Sequence, residues 1–326
     1  MARASVTDLH KVRLGVSMRG TLAHFPLMLA DQMGYFRPLG MQIEWHDFDI
    51  DAQAQQALVS GSVDVVSADF EQVLELNEQG HKVKAFVLQG RTPQISLGIA
   101  LRKLPAFQGI TDLRRFKIGI ADWGSPSHAM ARLWCLQAGL PARENPFVVV
   151  GPMSAAMENL RSGVVDALCH NDPLMSWLEY KSDVRVVAET RTLHGAQLWM
   201  GGACAAACLF AKNDWLQHKP ELAQGLSDGV VRALKWLMTA GPTDLLKSVP
   251  PTPWMGDRAF YLGTVDKVRE SFSLDGGFSE ELLLTAWRSR ALRLGGSPRP
   301  SGADRSALQT AYTNEMVQKS KKRFAV

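Results

Sequence analysis

Apolar and polar positions along the chain alternate between two rhythms. Short apolar runs near 12–17, 41–48, 63–67 and 83–88 have strand character, while 25–33, 51–60 and 70–79 carry apolar residues at helical spacing. The pattern then starts again. Strands are predicted near 95–102, 117–121, 147–150, 165–169 and 184–188, and helices at 126–138, 154–162 and 173–180. A strand at 203–211 leads into a helical last third, with helices at 220–240, 242–248, 257–272, 279–293 and 303–321. Strands alternating with helices imply an α/β architecture of two mostly parallel sheets flanked by helices, with a helical C-terminal region.

The second start is a repeat in residue identity as well as in rhythm. VRLGVSMRGTLAH (Val12 to His24) aligns with FKIGIADWGSPSH (Phe116 to His128), so that Gly15 meets Gly119, Gly20 meets Gly124, Thr21 meets Ser125 and His24 meets His128. Both copies read strand, Gly-containing loop, helix. Further on, ALVSGSVDVV from Ala57 matches NLRSGVVDAL from Asn159, a helix closed by a left-handed Gly and followed at once by a buried strand. Two units in the same order point to a duplicated topology. The predicted division is 9–91 with 203–322 as one discontinuous lobe and 92–202 as the other. Crossings at Gly90–Pro93 and Arg191–Gly202 would act as a hinge.

Composition adds limits. A chain of 326 residues exceeds what one core usually organises, and 46% hydrophobic content suffices for two cores while arguing against disorder. The formal charge of +4 is mild, and part of it sits in Lys319, Lys321, Lys322 and Arg323, which read as a solvated end. No basic stripe with interleaved aromatics marks a nucleic-acid partner. No apolar run reaches the roughly 20 residues of a membrane span; the longest, Gly201 to Phe210, reads as a buried strand. Ala2-Arg3-Ala4 before Ser5 has the form of a signal-peptidase site, and equally of a plain N-terminal extension. Cys135, Cys169, Cys204 and Cys208 form no CxxC pair and read as core residues, with a disulfide neither indicated nor excluded.

Ligands of open α/β sheets bind beyond the carboxyl ends of the strands. The repeat places Ser17–Ala23 there in one lobe and Asp122–His128 in the other, joined by the loops Asp47–Asp51, Ser67–Phe70 and His170–Asp172. Within Gly124-Ser125-Pro126-Ser127-His128, Ser125 is a natural N-cap and Pro126 suits the first helical position. The amides of such a first turn favour a carboxylate, sulfonate or phosphate, with Ser127 and His128 as added donors, although an ordinary capped helix has the same sequence. Arg19 suits an anionic ligand, or else solvent or Asp69. Trp123 suits a stacking or walling role. Asp47, Asp69 and Asp172 oppose a simple anion and suit a ligand with a cationic or hydrogen-bond-donating end. His24 and His128 lack a carboxylate or Cys at ligand spacing, so no metal is expected. No nucleophile elbow, Walker loop or dinucleotide fingerprint implies catalysis or a cofactor.

Several ordered motifs carry a family likeness. GYF at 34–36 followed by LGMQIEW at 39–45, LVSGSVDV at 58–65, DLRRFKIGIADWGSPSH at 112–128, LRSGVVDAL at 160–168 and the segment 257–281 resemble solute-binding proteins for nitrate, taurine and aliphatic sulfonates. That family also includes binders of thiamine-pyrimidine precursors and of aromatic acids. The resemblance implies a two-lobed type II periplasmic-binding fold, a monomer outside the cytoplasm, and delivery of a small solute to an ABC-importer permease, without catalysis or cofactor. It makes Ser17, Arg19, Gly20, Thr21, Asp69, Trp123, Gly124, Ser125, Ser127, His128, Asn171 and Asp172 the candidate ligand contacts. The chain departs from the family where Gly-Ser-Ser or Gly-Ser-Gly becomes Gly124-Ser125-Pro126. It departs again at Ser67-Ala68-Asp69-Phe70, which lacks the familiar Gly, and at Asn171-Asp172-Pro173 in place of aromatic-Glu-Pro. The ligand therefore stays open among sulfonate, nitrate, aromatic acid and pyrimidine. Two other roles on the same scaffold are a pyrimidine-precursor synthase, which needs a Schiff-base lysine and a Cys-rich metal motif, and a ligand-sensing domain.

Overall fold

The computed structural model describes residues 9–141, 143–248 and 256–325. Met1 and the Ala2-Arg3-Ala4 tripeptide lie outside them. Strands β1 (His10–Ser17), β2 (Met41–Phe48), β3 (Val65–Asp69) and β4 (Val83–Leu88) alternate with helices α1 (Phe25–Gln32), α2 (Asp51–Ser60) and α3 (Phe70–Glu78). The second series is β5 (Ile95–Ala100), β6 (Ile118–Ile120), α4 (Pro126–Gln137), β7 (Phe147–Val149), α5 (Met153–Ser162), β8 (Ala167–Asn171), α6 (Leu174–Tyr180) and β9 (Val184–Glu189). Then come α7 (Leu193–Met200), β10 (Ala207–Lys212), α8 (Asn213–His218), α9 (Pro220–Thr239), α10 (Pro242–Ser248), α11 (Arg258–Lys267), α12 (Glu280–Arg293), α13 (Gly302–Thr310) and α14 (Glu315–Phe324).

The duplication is complete at the level of topology. One sheet runs β2-β1-β3-β10-β4 and the other β7-β6-β8-β5-β9, the same order once β1 is matched to β6 and β10 to β5. In each, four strands point one way and the strand arriving from the other sheet opposes them: β10 is antiparallel to β3 and β4, and β5 to β8 and β9. Both sheets are therefore mixed. The second repeated unit folds alike in both copies. Gly61 and Gly163 close α2 and α5 in the left-handed region (φ 82° and 86°), where a side chain would be strained. The Asp64 amide then donates to the Arg13 carbonyl, while its carboxylate accepts the Arg13 amide and, at 2.6 Å, the Arg13 guanidinium. Asp166 does the same with the backbone of Lys117 and takes Lys103 at 3.0 Å as its cation.

Each sheet is covered on both faces. Val12, Phe25, Leu226 and Tyr261 fill one side of the first sheet, and Leu58, Phe70, Phe278 and Leu283 the other. Met130 and Trp134 of α4 back one face of the second sheet, and Leu160 and Leu174 the other. The C-terminal helices α9, α11, α12 and α14 pack on the first sheet. The chain passes between sheets at 89–94 and 190–206, and the two crossings lie side by side, with the amides of Cys204 and Ala206 donating to the carbonyls of Arg91 (3.0 Å) and Gly90 (3.1 Å).

Three expectations change. The second crossing contains a helix, α7, capped by Thr192, whose hydroxyl accepts from the Gly195 amide, and closed by left-handed Gly201; the strand after it starts at Ala207, later than predicted. The helix expected at 303–321 is two helices, because 311–313 leave helical geometry to pair with the free edge of β4: the Ala85 amide donates to Ala311 (2.9 Å) and the Thr313 amide to Ala85 (2.8 Å). The basic C-terminal segment is not simply solvated. Lys321 pairs with Asp275, and Arg323 reaches the buried carboxylate of Asp228, pinning α14 to α9.

Candidate functional site

The carboxyl ends of both sheets face each other, and main chain joins them directly: the Leu22 amide of the first lobe donates to the Asp172 carbonyl of the second at 3.0 Å. Behind that bond lies a small cavity of about 30 Å³, lined among others by Ser17, Thr21, His24, Asp51, Asp69 and Asn171. A larger cavity of about 230 Å³ adjoins it and shares Asp69, Pro93 and Pro126 with its wall. Helix α3 supplies Glu71, Gln72 and Glu75 to this chamber; Gly124, His128 and Met130 come from the start of α4, Arg290, Arg293 and Leu294 from the end of α12, and Met200 and Cys204 from the second crossing.

Of the predicted contacts, Ser17, Thr21, Asp69 and Asn171 line the small cavity, and Asp69, Gly124 and His128 the large one. The others are placed elsewhere. Arg19 is held by Asp47 at 2.9 Å and lies 4.9 Å over the Trp45 ring. Gly20 serves packing, since a Cβ there would stand 3.3 Å from the Met153 methyl of the opposite lobe. Trp123 is 48% exposed and meets His128 edge-on at 5.1 Å. Ser125 caps α4, donating to the Asp122 carbonyl (2.6 Å) and accepting from the His128 amide (3.3 Å). Ser127 accepts from the Ala121 amide at 2.9 Å. The Gly124 amide donates to His128 Nδ1 at 3.1 Å, which leaves the proton of a neutral ring on Nε2. The amides of Gly124, Ser125 and His128 are thus spent inside their own turn. Asp172, fully buried, accepts from the Ser176 amide (2.8 Å) and faces Arg191 at 3.5 Å.

The electrostatics of the two cavities are acidic on one side. Ser17 donates to Asp51, whose carboxyl is raised by burial. Asp69 caps α3 by accepting from the Glu71 amide (3.1 Å); burial first, and then the charge of Glu71, push it up to about 7. Neither Asp51 nor Asp69 has an ion pair among the described residues. The cations of the chamber are taken: Arg293 pairs with Glu71, and Arg290 grips Glu78 through two bonds. Gln72, 4% exposed, makes no side-chain hydrogen bond of good geometry, although it lies near enough to Asp51 to favour that carboxylate, and His128 Nε2 has no partner. Burial lowers His24 and His128 to about 4, so both rings are neutral at pH 7. His24 sits instead against the Ser67 hydroxyl at 2.8 Å.

Sequence reasoning missed Gln72, Glu75, Met200, Arg290 and Arg293. They come from helix flanks and from the far C-terminal region, where nothing local distinguishes a cavity-lining position from an ordinary amphipathic one. The four cysteines are buried and unpaired. Among the described residues no group of three His, Cys, Asp or Glu stands close enough to hold a metal, and no helix is long and apolar enough to cross a membrane.

Residues 7–246 match the NMT1-like family. A protein of Bordetella bronchiseptica RB50 with a solved structure is 33% identical, over 98% of this chain and 99% of that one, at a TM-score of 0.87. The alkanesulfonate-binding protein SsuA from Xanthomonas axonopodis pv. citri, bound to MOPS, superimposes at 0.66 with 17% identity, covering 96% of this chain and 98% of that one. The periplasmic nitrate-binding protein NrtA from Synechocystis PCC 6803 does so at 0.71 with 13% identity, covering 97% and 89%. At those identities the likeness is one of fold. None of the curated proteins matches the chain by sequence.

Proposed function

We propose that this chain, which belongs to the NMT1-like family, is the solute-binding component of an ABC importer: it closes two lobes over one small organic solute outside the cytoplasm and presents it to the membrane permease. The observation that carries this reading is the small cavity between two sheets of identical topology, walled by the strand-end loops of both beside the Leu22–Asp172 main-chain bond, with a larger chamber adjoining it. Side-by-side crossings suit rotation of one lobe against the other, and the sulfonate- and nitrate-binding proteins of the same fold support the role. The role needs no catalytic step. Burial pushes the Cys135 thiol up to about 12 and raises those of Cys169, Cys204 and Cys208, so none is a ready nucleophile.

The test is solution scattering with calorimetry across a panel of sulfonates, nitrate, aromatic acids, pyrimidines and amines. Compaction on binding one member with one-to-one stoichiometry is expected. No change in radius of gyration with any member would remove the reading.

A further inference from the structure

The larger chamber lies off the strand ends, and its chemistry differs from that of the small cavity beside it. The small cavity, about 30 Å³, holds roughly two water-sized groups. That is room for a compact head such as an ammonium or amide nitrogen. Its wall carries Asp51 and Asp69, neither in an ion pair among the described residues; the nearest cation acting on Asp69, Arg293, is held by Glu71. Two buried carboxylates repel each other and each loses hydration, so a donor placed between them relieves both costs. A second observation points the same way. Gln72 is almost wholly buried on the chamber wall; its amide lies near enough to Asp51 to favour that carboxylate without a bond of good geometry, and its carbonyl oxygen has no partner, which is costly unless a ligand or water completes it. The chamber wall also carries the apolar Met130, Met200 and Leu294, and its arginines hold ion pairs with Glu71 and Glu78, Arg293 keeping one buried Nε–H without a partner.

We infer that the two cavities form one elongated site for an amphiphilic organic cation: an N–H donor head seated between Asp51 and Asp69, and an apolar body passing Pro93 and Pro126 into the chamber beside Gln72. This rests on the solute-binding reading and gives it a ligand class. The raised carboxyl of Asp69 agrees with it, since a cation bound there restores the ionised form. The methionine thioethers give the apolar end an adaptable wall.

Calorimetry with hexylamine, methylamine, hexanesulfonate and hexanoate tests it on the full chain. Hexylamine is expected to bind at least tenfold tighter than either anion of the same length, and at least tenfold tighter than methylamine, which lacks the body. Asp69→Asn and, separately, Asp51→Asn should each weaken hexylamine at least tenfold while retaining a cooperative melting transition. Tighter binding of hexanesulfonate or hexanoate, equal affinity of both variants and the parent for hexylamine, or no binding of hexylamine would overturn the ligand class. Compaction on hexanesulfonate would then leave the solute-binding role standing while removing the cation; the role itself falls only with the full panel described above.

Discussion

Asp69 ends β3 where Asn171 ends β8, and Asp172 is the next residue on, so two carboxylates stand one position apart in the duplicated frame with opposite surroundings. Asp172 is fully buried, accepts a backbone amide and faces Arg191, which also contacts Glu189, Glu179 and Ser176. Asp69 makes no ion pair among the described residues, feels the charge of Arg293 only from a distance, and opens onto both cavities. In the second lobe the carboxylate is part of the frame around a crossing; in the first its charge is left for something else to meet. Duplicated topology therefore carries over the strand end without fixing which residue bears the charge there or what that charge does. The loops of the first repeat teach the same lesson. Gly124 supplies a left-handed turn (φ 78°), but in the first lobe that conformation falls on Met18 (φ 45°), and Gly20 serves a close approach between lobes instead.

The contrast can be broken most forcefully at Arg191. Arg191→Ala leaves Asp172 buried without its cation and should cost about 3–5 kcal/mol in urea denaturation. A loss below about 1 kcal/mol would mean that the two aspartates are not so different. Asp69→Asn should act the other way. With a folded value of about 7, above the ordinary carboxyl range, the native state holds the proton that the unfolded chain has released, so this group's contribution to stability declines as pH rises from about 4 to about 7. Asn keeps a good helix cap and removes the charge. The variant should match the parent near pH 4 and exceed it at pH 8, by on the order of 1–3 kcal/mol. Parallel pH profiles for the two proteins would contradict the assignment. The smallest difference lies between the caps. Ser125→Ala should cost about 1 kcal/mol, because its hydroxyl caps α4. Thr21→Val at the aligned position, where no side-chain cap bond exists, should stay within about 0.5 kcal/mol. Equal losses in thermal melts would show that the two loops are equivalent after all.

The strand–loop–helix units were legible because their signals are local: apolar runs, Gly61 and Gly163 after their helices, Ser125 and Pro126 at the start of α4. Asp69 was legible as a strand-end carboxylate unsuited to an anion. Its isolation from cations was not, because that depends on Arg293 turning to Glu71 and Arg290 to Glu78, choices made by α12 more than two hundred residues downstream. The Ser125 cap was foreseen, but a sequence does not say whether a capped turn has amides to spare; here the His128 ring and the Asp122 carbonyl use them. Asp51 entered only as the end of a loop, and Gln72 as one polar position on a helix.

The pairing of 311–313 with the outer edge of β4 bears on the order in which a nascent chain can be completed. The second sheet is built from one continuous stretch, β5 to β9, and is whole as soon as residue 189 is made. The first must wait for β10 to fill its centre, and its edge stays uncovered until residues 311–313 have been made. A ribosome that stops short of residue 311 releases a molecule with one finished half and one adhesive edge. Quality control would meet such truncations as sticky, half-folded species rather than as unfolded ones.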